Sequence, residues 1–244
     1  MATHGRGLIC APLIDDRCEE LELNLMVGKN TDEYETPFTV SVDLIGNGCT
    51  TGISASDRSK TIKALVNPNT QPNELSKPGH IFPLKAKKGG VLRRAGHTEA
   101  AIDLARLAGL YPAGVIVEIM NDDGTMARRG DLEKFALKHG LKIGTIADLI
   151  HYRNISERSI KLVDQAKVES EEGEFDLFAY EDTINGNIHI ALVKGKLDSN
   201  KEIMVRVQQN NTLQDVIGIN QFGSRLSFSQ AMKKINKEGS GVLL

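Results

Sequence analysis

Apolar and polar positions change period several times along the chain, and each change marks an element. Phe38-Thr39-Val40-Ser41-Val42-Asp43-Leu44 alternates and is β-branched, the pattern of a half-buried strand. Asp57 stands as N-cap for a helix running through Lys63-Ala64-Leu65-Val66 and ended by Asn67-Pro68. Thr98 likewise caps a helix from Glu99 to Ala108, with Gly109 as its stop. Val115 to Met120 reads as a buried strand, and Asn121-Asp122-Asp123-Gly124 as a turn. Asp131 caps Leu132 to His139, which Gly140 ends; Leu141 to Gly144 follows as a short strand. Thr145 with Asp148 forms a capping box for Ile146 to Tyr152, with Asp in place of the usual Glu. Strands alternating with helices predict an α/β (α+β layered) domain, a mixed sheet flanked by helices.

The texture changes after residue 153. Residues 154–174 are densely charged and read as a connector, part helix or edge strand. Residues 175–244 form a smaller β-rich segment. In it, Asn187 to Gly195 reads as a strand and turn, Glu202 to Val207 as a second strand, and Gln230 to Lys237 as a short amphipathic helix with Ser229 as cap. The pattern reaches Leu244 as if within a strand. The expected organisation is therefore a domain over 1–153, the connector 154–174, and the segment 175–244.

Composition narrows the function classes. The chain has 244 residues, 40% hydrophobic and 25% charged, as in an ordinary globular protein. A net charge of -2 gives no general attraction to nucleic acid or to an anionic membrane, so any anion site must be local. The three cysteines, Cys10, Cys18 and Cys49, form no CxxC pair, which points to neither a zinc site nor a disulfide framework and fits a reduced cytoplasmic compartment. The opening residues lack the apolar core of a signal peptide, and Leu107 to Val117, the longest apolar candidate, is short and contains Pro112.

Candidate chemistry concentrates in two stretches. Arg94-Ala95-Gly96-His97-Thr98 places a forked phosphate donor, two small residues, an imidazole and a hydroxyl just before a helix start, where free backbone N–H groups favour anions. The plainer reading is a polar loop with a capping Thr. Glu118 stands alone in the apolar run Ala113 to Met120, where a carboxylate must be paired, protonated or bound. It can serve as general acid or base, or as a strand-end partner of Arg128 or Arg129. His80, between Pro78 and Pro83, suits proton transfer; a core-edge His bonded to a carbonyl is the alternative. Thr50 and Thr51 between glycines line a pocket or make a turn, and Cys49 reads as a packed thiol. Asn121 to Gly124 lacks the spacing of a calcium loop.

Five ordered segments together resemble 3,4-dihydroxy-2-butanone 4-phosphate synthase. They are Gly5 to Cys10, Thr50 to Arg58, Pro78 to Leu84, Gly89 to Ala100 and Glu118 to Arg128, spread over residues 1–153 without a large gap. The resemblance implies a lyase of riboflavin biosynthesis that converts D-ribulose 5-phosphate into 3,4-dihydroxy-2-butanone 4-phosphate and formate. It implies Mg²⁺, with Mn²⁺ as substitute, and a cytoplasmic homodimer whose sites are shared between subunits. By position it makes Arg94, Ala95, Gly96, His97, Thr98 and Glu118 substrate-binding, His97 a metal ligand, and Glu118 and His80 catalytic. The family's opening segment, with its acidic loop, has no counterpart here, so the competing expectation is a catalytically silent truncated subunit that keeps the dimer and phosphate surfaces. Residues 175–244 resemble the start of GTP cyclohydrolase II. The stretch Val205 to Val216 matches that family's zinc region but contains no Cys, so no zinc is expected.

Overall fold

The computed structural model describes residues 1–209 and 226–244. They form two compact units, Met1–Ser156 and Glu157–Leu244. Of the stretch Val205 to Val216, residues 210–216 lie outside the described part.

The first unit is built on β1 (Cys10–Leu13), β2 (Val42–Leu44) and β3 (Leu75–Lys85), in the order β1-β3-β2. β1 runs parallel to β3, and β2 antiparallel to it, so the sheet is mixed. All four residues of β1 are buried. Leu13, Leu21, Val42, Leu65 and Ile81 make the centre of the core. Around the sheet lie α1 (Asp15–Glu20), α2 (Ala55–Val66), α3 (His97–Leu107), α4 (Arg129–His139) and α5 (Ile146–Ser156). Leu65, fully buried on α2, belongs to this core, and truncating such a Leu costs about 2–5 kcal/mol.

Three helix starts differ from expectation by a few residues, for one reason. The short polar residue nearest the helix is not always the one with extended backbone. Ser54 caps α2 by accepting from Asp57 N at 3.0 Å. Asp57 sits inside the first turn and turns back onto the preceding loop, accepting from Thr50 N, the Thr50 hydroxyl and Gly52 N. The Thr50 donors, chiefly, hold its carboxyl below the ordinary aspartate range. Gly96 caps α3, and Thr98 is buried within its first turn. Arg128 is the cap position of α4, and Asp131 accepts from Arg128 N at 3.0 Å. At α5 Thr145 Oγ1 accepts from Asp148 N at 3.1 Å, the first half of the expected box, and donates to Asp148 Oδ2 at 2.6 Å, where a full box would have the Thr145 backbone N–H donate. Asn67, Gly109 and Gly140 end their helices as read, the glycines at φ 72 and 62.

The stretch Val115 to Met120 is not a buried strand. With the residues just before it, it makes isolated bridges, Leu13↔Ala113, Cys10↔Ile116, Arg6↔Ile119 and Met120↔Met126, the first two along the edge of β1. Its residues are half-buried and Glu118 is exposed. The apolar run is genuine, but its outer side borders an open cavity instead of a second layer. Leu141 to Gly144 forms no strand either.

In the second unit, β4 (Ile160–Ser170), β5 (Gly173–Asp182), β6 (Asn187–Lys194), β7 (Val205–Arg206) and β8 (Gly241–Leu243) make one sheet in the order β4-β5-β6-β8-β7. α6 (Phe228–Glu238) packs on it through Ala231, Met232 and Ile235 against Phe175, Leu192 and Leu243. The charged stretch 154–174 is part helix and part edge strand, as its charge pattern allowed. It completes α5 and then supplies edge strand β4, whose side chains are almost all exposed, which is why charge dominates its sequence. The cap of α6 is Ser227, not Ser229, whose hydroxyl bonds Glu172. The strand expected over Glu202 to Val207 shortens to Val205–Arg206. Among the described residues no helix is long and apolar enough to cross a membrane.

Candidate active site

The loop from Lys87 to Gly96 is held from beneath by α3. Two carboxylates one helical turn apart, Glu99 and Asp103, are both buried and both reach back over the loop. Glu99 accepts from Lys87 N at 3.0 Å and from Arg94 Nη1 at 2.7 Å. Asp103 Oδ2 accepts from Val91 N and from Arg153 Nη1, each at 2.8 Å, and the same Arg153 nitrogen donates to Gly89 O at 2.8 Å. Gly90, at φ 64, lies so close to the Asp103 carboxylate that a Cβ there would overlap it. Gly96 is pressed in the same way against Arg94 and Glu99. The small residues are therefore needed for close approach, and the loop is fixed ahead of any ligand.

That scaffold presents the expected residues unevenly. Ala95 and His97 are exposed, Arg94 and Gly96 half-buried, and Thr98 buried. Arg94 is already engaged: besides Glu99, it donates Nη2 to Tyr34 O at 2.9 Å. A guanidinium has five N–H donors, so the remainder stay available to an anion.

Glu118 lies across Gly7, where a Cβ would overlap its side chain, and its Oε2 accepts from Leu8 N at 2.9 Å. Neither Arg128 nor Arg129 pairs with it; Arg129 instead bonds Glu133 at 2.6 Å. Glu118 and His97 line one cavity of about 820 Å³, together with His4, Phe135 and His139. The rings of His4 and His139 lie 4.7 Å apart, and those of Phe135 and His139 4.5 Å apart. Burial, then His4 and Lys138, hold the His139 imidazole below its ordinary range.

His80 is not among the residues lining that cavity. It lies where β3 leaves its ladder with β2: Val42 pairs with Ile81 but Asp43 with Ser76, so residues 77–80 bulge. Its Nδ1 is 2.6 Å from Asp43 Oδ2. Cys10 and Cys18 are buried thiols; burial, with Glu118 adding to it, pushes Cys10 up to about 11, and burial pushes Cys18 up to about 12. Cys49 is half-buried.

Asp43, Glu99, Asp103 and Arg153 are absent from the sequence-based list. Asp43 was open to the same reasoning that found Glu118, a lone carboxylate in an apolar alternating run. Glu99 and Asp103 share an i,i+4 spacing on the buried face of α3, but nothing in the sequence tells that face from a solvated one.

A cation would find few ligands. Among the described residues no three His, Cys, Asp or Glu side chains converge. Magnesium needs no such cage, since it keeps several waters and is bound through one or two carboxylates plus substrate oxygens. At the cavity wall His97 offers one nitrogen and Glu118 one carboxylate.

Residues 1–152 match the family model for 3,4-dihydroxy-2-butanone 4-phosphate synthase, and residues 161–244 that for GTP cyclohydrolase II. The riboflavin biosynthesis protein RibBA of Cytophaga hutchinsonii is 54% identical over 244 residues, all of this chain and 60% of that protein. The chain spans 60 to 66% of the length of this and the next curated relatives it matches. The crystal structure of RibBX, a two domain 3,4-dihydroxy-2-butanone 4-phosphate synthase from A. baumannii, superposes with a TM-score of 0.77 at 46% identity, covering 100% of this chain and 68% of that one. A 3,4-dihydroxy-2-butanone 4-phosphate synthase in complex with two magnesium ions gives a TM-score of 0.61 at 44% identity, covering 64% of this chain and 77% of that one.

Proposed function

The chain belongs to the 3,4-dihydroxy-2-butanone 4-phosphate synthase family, and from that premise we propose that it converts D-ribulose 5-phosphate into 3,4-dihydroxy-2-butanone 4-phosphate and formate for riboflavin synthesis. The observation that carries this reading is the cavity into which His97 and Glu118 both open. Arg94 and the first-turn N–H groups of α3 anchor the phosphate, which supplies binding energy remote from the reacting carbons. Glu118, with Oε2 tied to Leu8 N, keeps Oε1 to take and return a proton. His80 acts as the second proton carrier, supplied by another copy of the chain, since the cavity of one copy does not include it. The cofactor is Mg²⁺, with Mn²⁺ as substitute, and His97 is its protein ligand. When bound, the ion stabilises negative charge developing on adjacent sugar oxygens. Residues 175–244 offer no thiolate, so no zinc is assigned to them. Free, buried Cys10 and Cys18 favour a reducing, cytoplasmic setting.

The test is formate release from ribulose 5-phosphate by the purified protein. Release with Mg²⁺ that chelation abolishes and Mg²⁺ restores is expected. Protein that is folded yet releases no formate under any divalent ion would remove the proposal.

A further inference from the structure

We infer that Arg6 is a positioning residue for Glu118: it clamps the turn that delivers the Leu8 N–H to one oxygen of that carboxylate and leaves the other oxygen to the cavity. This rests on the reading that Glu118 moves a proton. Arg6 holds φ 72, in the left-handed region that a residue with a Cβ enters only where its surroundings enforce it. Its neighbours supply that enforcement. Gly5 lies against Val117 and Gly7 against Glu118, with no room for a Cβ at either position. Gly7 N donates to Glu118 O at 3.2 Å and Met120 N to Gly5 O at 2.9 Å. Arg6 itself forms an antiparallel bridge with Ile119. The turn is thus pressed onto the run that carries Glu118, and it is bonded on both sides of that residue.

The Arg6 side chain closes the clamp from the far side. Its Nη1 reaches Met120 O at 3.4 Å and pairs with Asp122 Oδ1 at 2.5 Å. The backbone of residues 5–7 therefore holds Glu118, Ile119 and Met120, while the guanidinium holds the chain just beyond them. The consequence appears at Glu118 Oε2. Leu8 follows directly on the turn, so its N–H, 2.9 Å from Oε2, points where the backbone of Arg6 and Gly7 sends it. A carboxylate tethered at Oε2 presents Oε1 in one direction, at the wall of the cavity it shares with His97. The paired side chains are 44% and 94% exposed, and an ion pair so exposed adds little to folding stability. Its effect belongs to the aim of Glu118, since a displacement of about 1 Å at a reacting group costs on the order of 10²-fold in rate.

Arg6→Gly in the full chain separates positioning from folding. Glycine adopts the left-handed turn without strain, so the urea midpoint should stay near wild type while the tie to Met120 and Asp122 is lost. The expected result is kcat lowered on the order of tenfold with KM nearly unchanged. Asp122→Asn, at an exposed residue, releases the same clamp from its other end and should lower kcat alike. Arg6→Gly with Asp122→Asn should lose no more than either alone, and Arg6→Lys should retain most of kcat. Wild-type kcat in both single variants overturns the inference, as does a rise in KM at unchanged kcat. In a Glu118→Gln background Arg6→Gly should lower the residual turnover no further; an additional drop shows that Arg6 acts other than through Glu118 and overturns the inference. If Glu118→Gln alone turns over at the wild-type rate, the role of Glu118 fails and the inference with it, an outcome distinct from an Arg6→Gly protein with wild-type kcat.

Discussion

Arg94 is an anchor whose aim depends on a residue beneath it. Its Nη1 bonds Glu99, a carboxylate with no exposed surface. Glu99→Gln weakens that grip and leaves the guanidinium free to wander, so KM for ribulose 5-phosphate should rise several-fold, on the order of 1 kcal/mol, with kcat less affected. Steady-state kinetics separate this from a chemical role, in which kcat falls and KM stays. The cysteines give a second residue-scale expectation. Thiols raised to about 11 at Cys10 and about 12 at Cys18 hold almost no thiolate near neutral pH, so a thiol reagent should modify Cys49 first and the other two only on unfolding. Their contribution to stability is present below the unfolded thiol value. It is lost as pH rises through the unfolded value toward 11 and 12, because the unfolded chain ionises first. Denaturation midpoints measured across that alkaline range should fall; a flat profile would contradict the burial of these thiols.

At the scale of elements, α3 does more than begin near the site. Asp103 on α3 and Arg153 on α5 form a buried pair that also holds Gly89 and Val91, so two helices and the loop lock together. Removing one partner strands a buried charge: Asp103→Ala should cost about 3–5 kcal/mol in urea unfolding. The double variant Asp103→Ala with Arg153→Met should recover part of that loss; a simple sum of the single effects would mean the pair is not coupled. The helices themselves were legible, because their stop signals at Asn67, Gly109 and Gly140 are local chemistry. Their starts were less so, since Ser54 and Gly96 became caps by having extended backbone, which the residue type does not reveal. Val115 to Met120 reads as a buried strand because an apolar stretch looks the same against a second layer as against a cavity. The charge of 160–170 agrees with its reading as an edge strand, since an edge strand needs no apolar face to pair with β5.

For the whole molecule, the five ordered motifs were the readable part, and the convergence of three of them on one cavity was not. Sequence placed His97 and Glu118 some twenty residues apart; only the fold opens both onto one cavity and leaves His80 off its walls. If a second copy supplies His80, two inactive variants should complement each other. Mixing His80→Gln and Glu118→Gln chains under exchange should restore up to about a quarter of wild-type turnover, since half the dimers are mixed and one site in each is whole. No recovery would place all three groups within one copy. Whether the cavity holding His97 and Glu118 carries the reaction is read by following ¹³C-labelled ribulose 5-phosphate by NMR with the wild-type protein and with Glu118→Gln. Labelled formate and 3,4-dihydroxy-2-butanone 4-phosphate are expected together with the wild type, and bound but unconverted substrate with the variant. Formate released by Glu118→Gln at the wild-type rate would contradict it.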